Sequence, residues 1–216
     1  DQHFPGISYE PGEGIHWRIF DESGLFPFES DAYRSEDRFC GHWGATEVCF
    51  AEARAERARR RWRGTDRGFE REYETYFRGI VFLADFHKHF RSTTRLLPRG
   101  QDAASARGEE RATLEDPHFE SIFETFTTDQ VDVRFILSTG MMSRLVALSA
   151  RFPGMRARFH QECVLLLLPS RSDRFEPSLY RRARSRAQIQ GFLDDVRACL
   201  SVVDDLSLNT RIWSKD

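Results

Sequence analysis

Asp85, His87 and His89 fall on every second residue of "LADFHKHF", residues 83–90. On a β-strand that spacing projects all three side chains from one face, and two imidazoles with a carboxylate form a donor set suited to zinc or non-haem iron. The chemistry such a centre would support is metal-assisted hydrolysis. The competing reading makes Asp85 a structural hydrogen-bond or ion-pair partner on a strand that emerges into solvent toward His89. Both stand at this point.

A second group could bind rather than react. "RARRRWR" at 57–63 places Arg57, Arg59, Arg60, Arg61 and Arg63 around Trp62. Guanidinium forks match phosphate oxygens, and an indole settles at a lipid interface. An anionic membrane surface is the expected ligand in that form, each basic residue contributing about 1 kcal/mol near the headgroups. Against it stands the acidic "FEREYE" at 69–74, which would neutralise a solvated β-connection. A further basic run, "RRARSR" at 181–186, supplies Arg181, Arg182, Arg184 and Arg186 to the start of a C-terminal helix, where cations oppose the helix dipole and invite an anion. The net charge of −2 argues against a dedicated nucleic-acid binder.

Motifs for covalent catalysis are missing. Cys49 and Cys163 lie in no nucleophile motif, and Ser23 and Ser143 lack the Gly-x-Ser-x-Gly elbow. The adjacent pairs Asp194-Asp195 and Asp204-Asp205 point in different directions on a helix and read as a solvated stripe. No cofactor is expected. The four cysteines, Cys40, Cys49, Cys163 and Cys199, have no Cys-x-x-Cys spacing and read as reduced, core-filling thiols.

The elements that would position these residues follow from periodicity. In 15–26, Ile15, Ile19 and Phe20 suit a short helix ended by Ser23-Gly24, and the stretch around Gly41 and Gly44 suits a hairpin. From residue 80, Ile80, Phe82, Ala84 and Phe86 alternate with Val81, Leu83, Asp85 and His87, which predicts a long strand. Residues 99–112 are almost without apolar side chains and predict a flexible excursion. Phe119, Phe123 and Phe126 fit either period. Met141, Leu145 and Leu148 predict a helix over 139–150, and residues 155–168 predict a β-hairpin turning at Gln161-Glu162. Ile189, Phe192, Val196, Leu200 and Val203 predict an amphipathic helix over 178–206 lying on the sheet. The expected class is α+β: a mainly antiparallel sheet with hairpins, packed by that long C-terminal helix and the shorter one near 139–150.

With 216 residues, 40% hydrophobic and 31% charged, a single soluble domain over 1–216 is expected. The longest apolar run, Val164 to Leu168, is far below the ~20 residues of a spanning helix. The chain begins without methionine, so the expectation is that sequence precedes it.

Four stretches, at 23–56, 76–98 ("YFRGIVFLADFHKHFRSTTRLLP"), 114–148 and 206–213 ("LSLNTRIW"), resemble in collinear order the bacterial domain-of-unknown-function family 3137. The resemblance carries no activity. It implies a soluble domain that follows one or two N-terminal transmembrane helices absent from this chain, on the cytoplasmic side of the bacterial inner membrane. Its pattern has an asparagine-like residue where this chain has His87, which favours the structural reading of the Asp85 strand. The functional expectation is a non-catalytic interaction module whose partner is an anionic membrane surface or a membrane-associated protein, with the metal-assisted hydrolase as the alternative.

Overall fold

One strand organises the molecule. The computed structural model describes residues 4–62, 69–101, 105–170, 186–206 and 208, and within them every side chain except those at 61, 62, 69, 70, 87–90, 186–193 and 195. Strand β4, Phe69–Pro98, is 30 residues long. Along one edge it pairs first with β3 (Thr46–Trp62) and later with β6 (Phe123–Thr127); along the other it pairs with β7 (Arg156–Pro169). With β1 (Ile7–Glu10), β2 (Ala32–Trp43) and β5 (Glu110–Ala112), the described strands form a seven-stranded antiparallel sheet of order β1-β2-β3-β4-β6-β5, β7 branching from β4. At Gly79 a Cβ would lie 2.1 Å from the Leu168 carbonyl oxygen, so glycine is what lets β4 and β7 close there.

The α+β expectation, with a long C-terminal helix packing the sheet, is overturned. The sheet dominates, and most helices are short: α1 (Trp17–Asp21), α2 (Pro117–Ile122), α3 (Asp132–Ile136) and α4 (Thr139–Arg151). Helix α5 (Arg186–Asp205) sits against α4, with Arg151 ion-paired to Asp205, rather than covering the sheet alone. Periodicity reveals an apolar face but not what meets it, and a 30-residue strand needs several covers. The hairpin expected at 155–168 is also corrected. β7 runs unbroken, and Gln161, at φ +53°, is a bulge residue where a turn was read.

Strand alternation divides the core. One face carries Phe39, Val48, Phe50, Ile80, Phe82, Ala84 and Leu166 beneath Phe119 of α2, Leu145 and Leu148 of α4 and Leu200 of α5. Local signals place these helices: Asp116 accepts the amides of His118 and Phe119 ahead of Pro117, and Ser138 caps α4 through the Met141 amide. The opposite face carries Ala51, Ala53, Ala55, Val81, Leu165 and Leu167 under Ile15, Phe20 and Leu25.

The segment after α1, residues 22–28, is fixed as a strap by three sheet arginines. Arg95 of β4 donates to the Gly24 carbonyl, Arg156 of β7 to that of Leu25 at 2.7 Å, and Arg158 of β7 to that of Glu22 at 3.0 Å. The Arg95 Nε lies 2.9 and 3.0 Å from the two Glu109 carboxylate oxygens, and both side chains are almost fully buried, at 5% and 6% exposure. Burial pushes the Arg158 guanidinium down from its ordinary range. Among the described residues no helix is long and apolar enough to cross a membrane.

Candidate functional site

The Asp85 strand does not deliver a regular ligand face. Asp85 is half-buried opposite Cys163 and lines an open groove of about 680 Å³ with Glu47, Cys49, Leu83, Glu162 and Cys163. Between Asp85 and Phe90 four residues of β4 stand against one of β7, so the two-residue alternation breaks there. Buried Phe86 still faces the core, its ring 5.4 Å from Phe159. The side chains of His87 and His89 lie outside the described residues. Among the described residues no group of three or more His, Cys, Asp or Glu could hold a metal ion.

The same groove corrects the expectation of four thiols. Cys40 and Cys49, paired across β2 and β3, are joined by a disulfide. Cys163 and Cys199 are free, and burial pushes the Cys163 thiol up.

The first arginine cluster has a different setting. β2 stops pairing with β3 at Glu56, and β7 stops pairing with β4 at Gly79. Beyond those points β3 and β4 continue together to the Trp62–Phe69 pair, a two-stranded ribbon extending past the sheet by six residues of β3, roughly 20 Å at ~3.3 Å per residue. Arg57 pairs in register with Glu74, Arg59 with Glu72, Arg60 with Arg71 and Arg61 with Glu70. Since paired positions share a face, Arg57 and Arg59 stand on one side opposite glutamates, while Arg60 goes to the other side with Arg71 and the Ala58–Tyr73 pair. Arg57, Arg59, Arg60, Glu72 and Glu74 are exposed, as is half of Tyr73. The Arg59 Nε reaches a Glu74 carboxylate oxygen at 2.6 Å.

The ribbon is rooted in the strap. The Arg57 guanidinium lies 4.2 Å from the Phe28 ring centroid, the Ala58 amide donates to Asp31 Oδ2 at 2.9 Å, and the Asp31 amide donates to the Glu56 carbonyl at 3.0 Å. These contacts replace the β2 ladder where it ends. The contiguous basic patch read from the sequence is thereby resolved into arginines opposite glutamates on one face and an Arg60–Arg71 pair on the other.

Other expected positions fall elsewhere. Arg63, Arg181, Arg182 and Arg184 lie outside the described residues, as do the side chains of Arg61, Trp62 and Arg186, the last being the first residue of α5. Sequence reasoning missed Arg71, which closes the ribbon's second face, and the strap-binding trio Arg95, Arg156 and Arg158. They are scattered in sequence, and only strand register brings them together.

The model of a family described as a protein of unknown function (DUF3137) matches residues 56–208, a span that includes the ribbon. No curated protein matches the chain. Among solved structures, the crystal structure of the mycobacterial trehalose monomycolate transport factor A, TtfA, is similar at a TM-score of 0.43 and 11% identity, covering 93% of this chain and 88% of that one.

Proposed function

The chain belongs to the protein family of unknown function DUF3137, and we propose that it acts as a non-catalytic interaction module that docks a partner protein through the β3–β4 ribbon. In this reading it is the soluble, cytoplasmic-side part of a bacterial membrane-associated protein, and the partner is membrane-associated too. The observation that carries the proposal is the ribbon itself: two strands extending beyond every other described strand, whose described charged side chains, of both signs, are exposed, with a half-exposed Tyr73.

Core burial alone does not account for such an extension, because the ribbon's described charged side chains remain in solvent. Its charges guard its edges against pairing with other chains, and a partner of complementary pattern would read them as a register. Tyr73 has the amphipathic character of an interface anchor. The paired glutamates favour a patterned protein surface over a uniformly anionic bilayer.

A charge swap tests the reading without unfolding the ribbon. Arg59→Glu combined with Glu72→Arg inverts a directly opposite, exposed pair while keeping opposite charges across the strands and leaving Arg57 opposite Glu74. The melting temperature is expected to stay unchanged, whereas recovery of the partner from membranes with the full-length protein falls at least tenfold through like-charge contacts. Undiminished recovery with the swapped pair would remove the ribbon from the interface. Binding of the wild-type chain to anionic but not neutral vesicles, unaffected by the swap, would place the lipid contact elsewhere.

A further inference from the structure

Arg34, Arg54 and Arg78 form a cross-strand row: Arg34 of β2 is opposite Arg54 of β3, which is opposite Arg78 of β4. Paired positions project from the same face, so three guanidinium groups share the side of the sheet that carries Phe50 and Ile80. Like charges directly opposite one another destabilise a sheet.

The compensation within the chain is partial. Arg54 is ion-paired with Glu56 at 2.5 Å and donates from Nε to Thr75 Oγ1 at 3.1 Å. The adjoining row supplies Glu36 opposite Glu52, a second like-charge pair. Arg34 is exposed, and its side chain has no hydrogen bond or ion pair among the described residues. The arginines line a concavity of about 160 Å³ with Glu36, Glu52 and Gly79. At ~30 Å³ per water that is room for about five waters, enough for one small anion with part of its hydration.

We propose that this row is a binding site for a phosphate-type oxyanion. The Arg34 fork can offer paired N–H donors to a tetrahedral anion beside the positive charges of Arg54 and Arg78, and the anion would relieve the repulsion that the row otherwise carries. Glu36 and Glu52 lower the local positive potential and keep the affinity moderate. A phosphomonoester lipid headgroup and a soluble phosphate present the same chemistry. The site is independent of the ribbon's role, since Arg34 and Glu36 lie on β2 and the charge swap leaves all three arginines in place.

The test is titration of the chain with inorganic phosphate at constant ionic strength, followed by calorimetry. Saturable binding is expected. Arg34→Gln weakens it at least fivefold without lowering the melting temperature, because the Arg34 side chain is exposed and its removal relieves a like charge opposite Arg54. Glu36→Gln tightens it about threefold by removing an opposing charge, a gain that a misfolded variant cannot produce. Phosphatidylcholine vesicles with and without phosphatidic acid separate the sources: pelleting reversed by inorganic phosphate supports the site with a headgroup as ligand, and phosphate binding without pelleting supports it with a soluble ligand. Absence of saturable phosphate binding, or equal affinity in Arg34→Gln and wild type, overturns the proposal.

Discussion

Arg95→Met is expected to lower the unfolding free energy by about 3–5 kcal/mol, the cost of leaving one member of a buried ion pair without its partner. Glu109 would remain as a carboxylate with a side chain only 6% exposed, and the Gly24 carbonyl would lose its donor. For a chain of this length the loss corresponds to a fall of ~6–20 °C in melting temperature. Adding Glu109→Gln neutralises the stranded charge, so the double variant should be more stable than Arg95→Met alone. That reversal separates an uncompensated charge from lost packing. Urea denaturation of the wild type and the two variants measures it; a cost below 1 kcal/mol for Arg95→Met would mean that the pair is solvated and the strap is held by other contacts.

Phe20→Ala should be as damaging, at about 3–5 kcal/mol, because a fully packed ring is removed and its surroundings relax only in part. Phe20 is 2% exposed, with ring centroids of Tyr33 and Phe77 each 5.2 Å away and those of Phe26 and Tyr76 at 5.7 and 6.3 Å. The consequence reaches the ribbon, since the same strap ends in Phe28 beneath Arg57 and leads to Asp31, which receives the Ala58 amide. Hydrogen exchange should therefore accelerate at Ala58 in the variant more than at Val81 in the sheet interior. Equal acceleration at both would uncouple the ribbon's root from the strap.

Much of the sheet was legible where alternation alone decides the outcome. Ile80, Phe82, Ala84 and Phe86 do lie in one core, while Val81 and Leu83 face the other. The pattern stopped being readable at the irregularity after Asp85, because a bulge is set by pairing with β7 and leaves no fixed local signature. Gln161 was misread for the same reason. The acidic counterweight to the Arg57 cluster was visible in sequence, but its alternation depends on β3–β4 register. Arg34, Arg54 and Arg78, separated by 20 and 24 positions, leave no local trace at all. The Cys40–Cys49 bridge likewise follows from register rather than spacing motifs.

Contact through the ribbon is most directly tested by site-specific photo-crosslinking of the full-length protein in its membranes. A benzoylphenylalanine at position 73 on the ribbon is compared with one at position 131, where Val131 is 66% exposed beside α3. A single discrete adduct from position 73, abolished by Arg59→Glu with Glu72→Arg and absent from position 131, is the predicted result. Adducts from position 131 alone would contradict it and move the interface to the α3 side of the molecule.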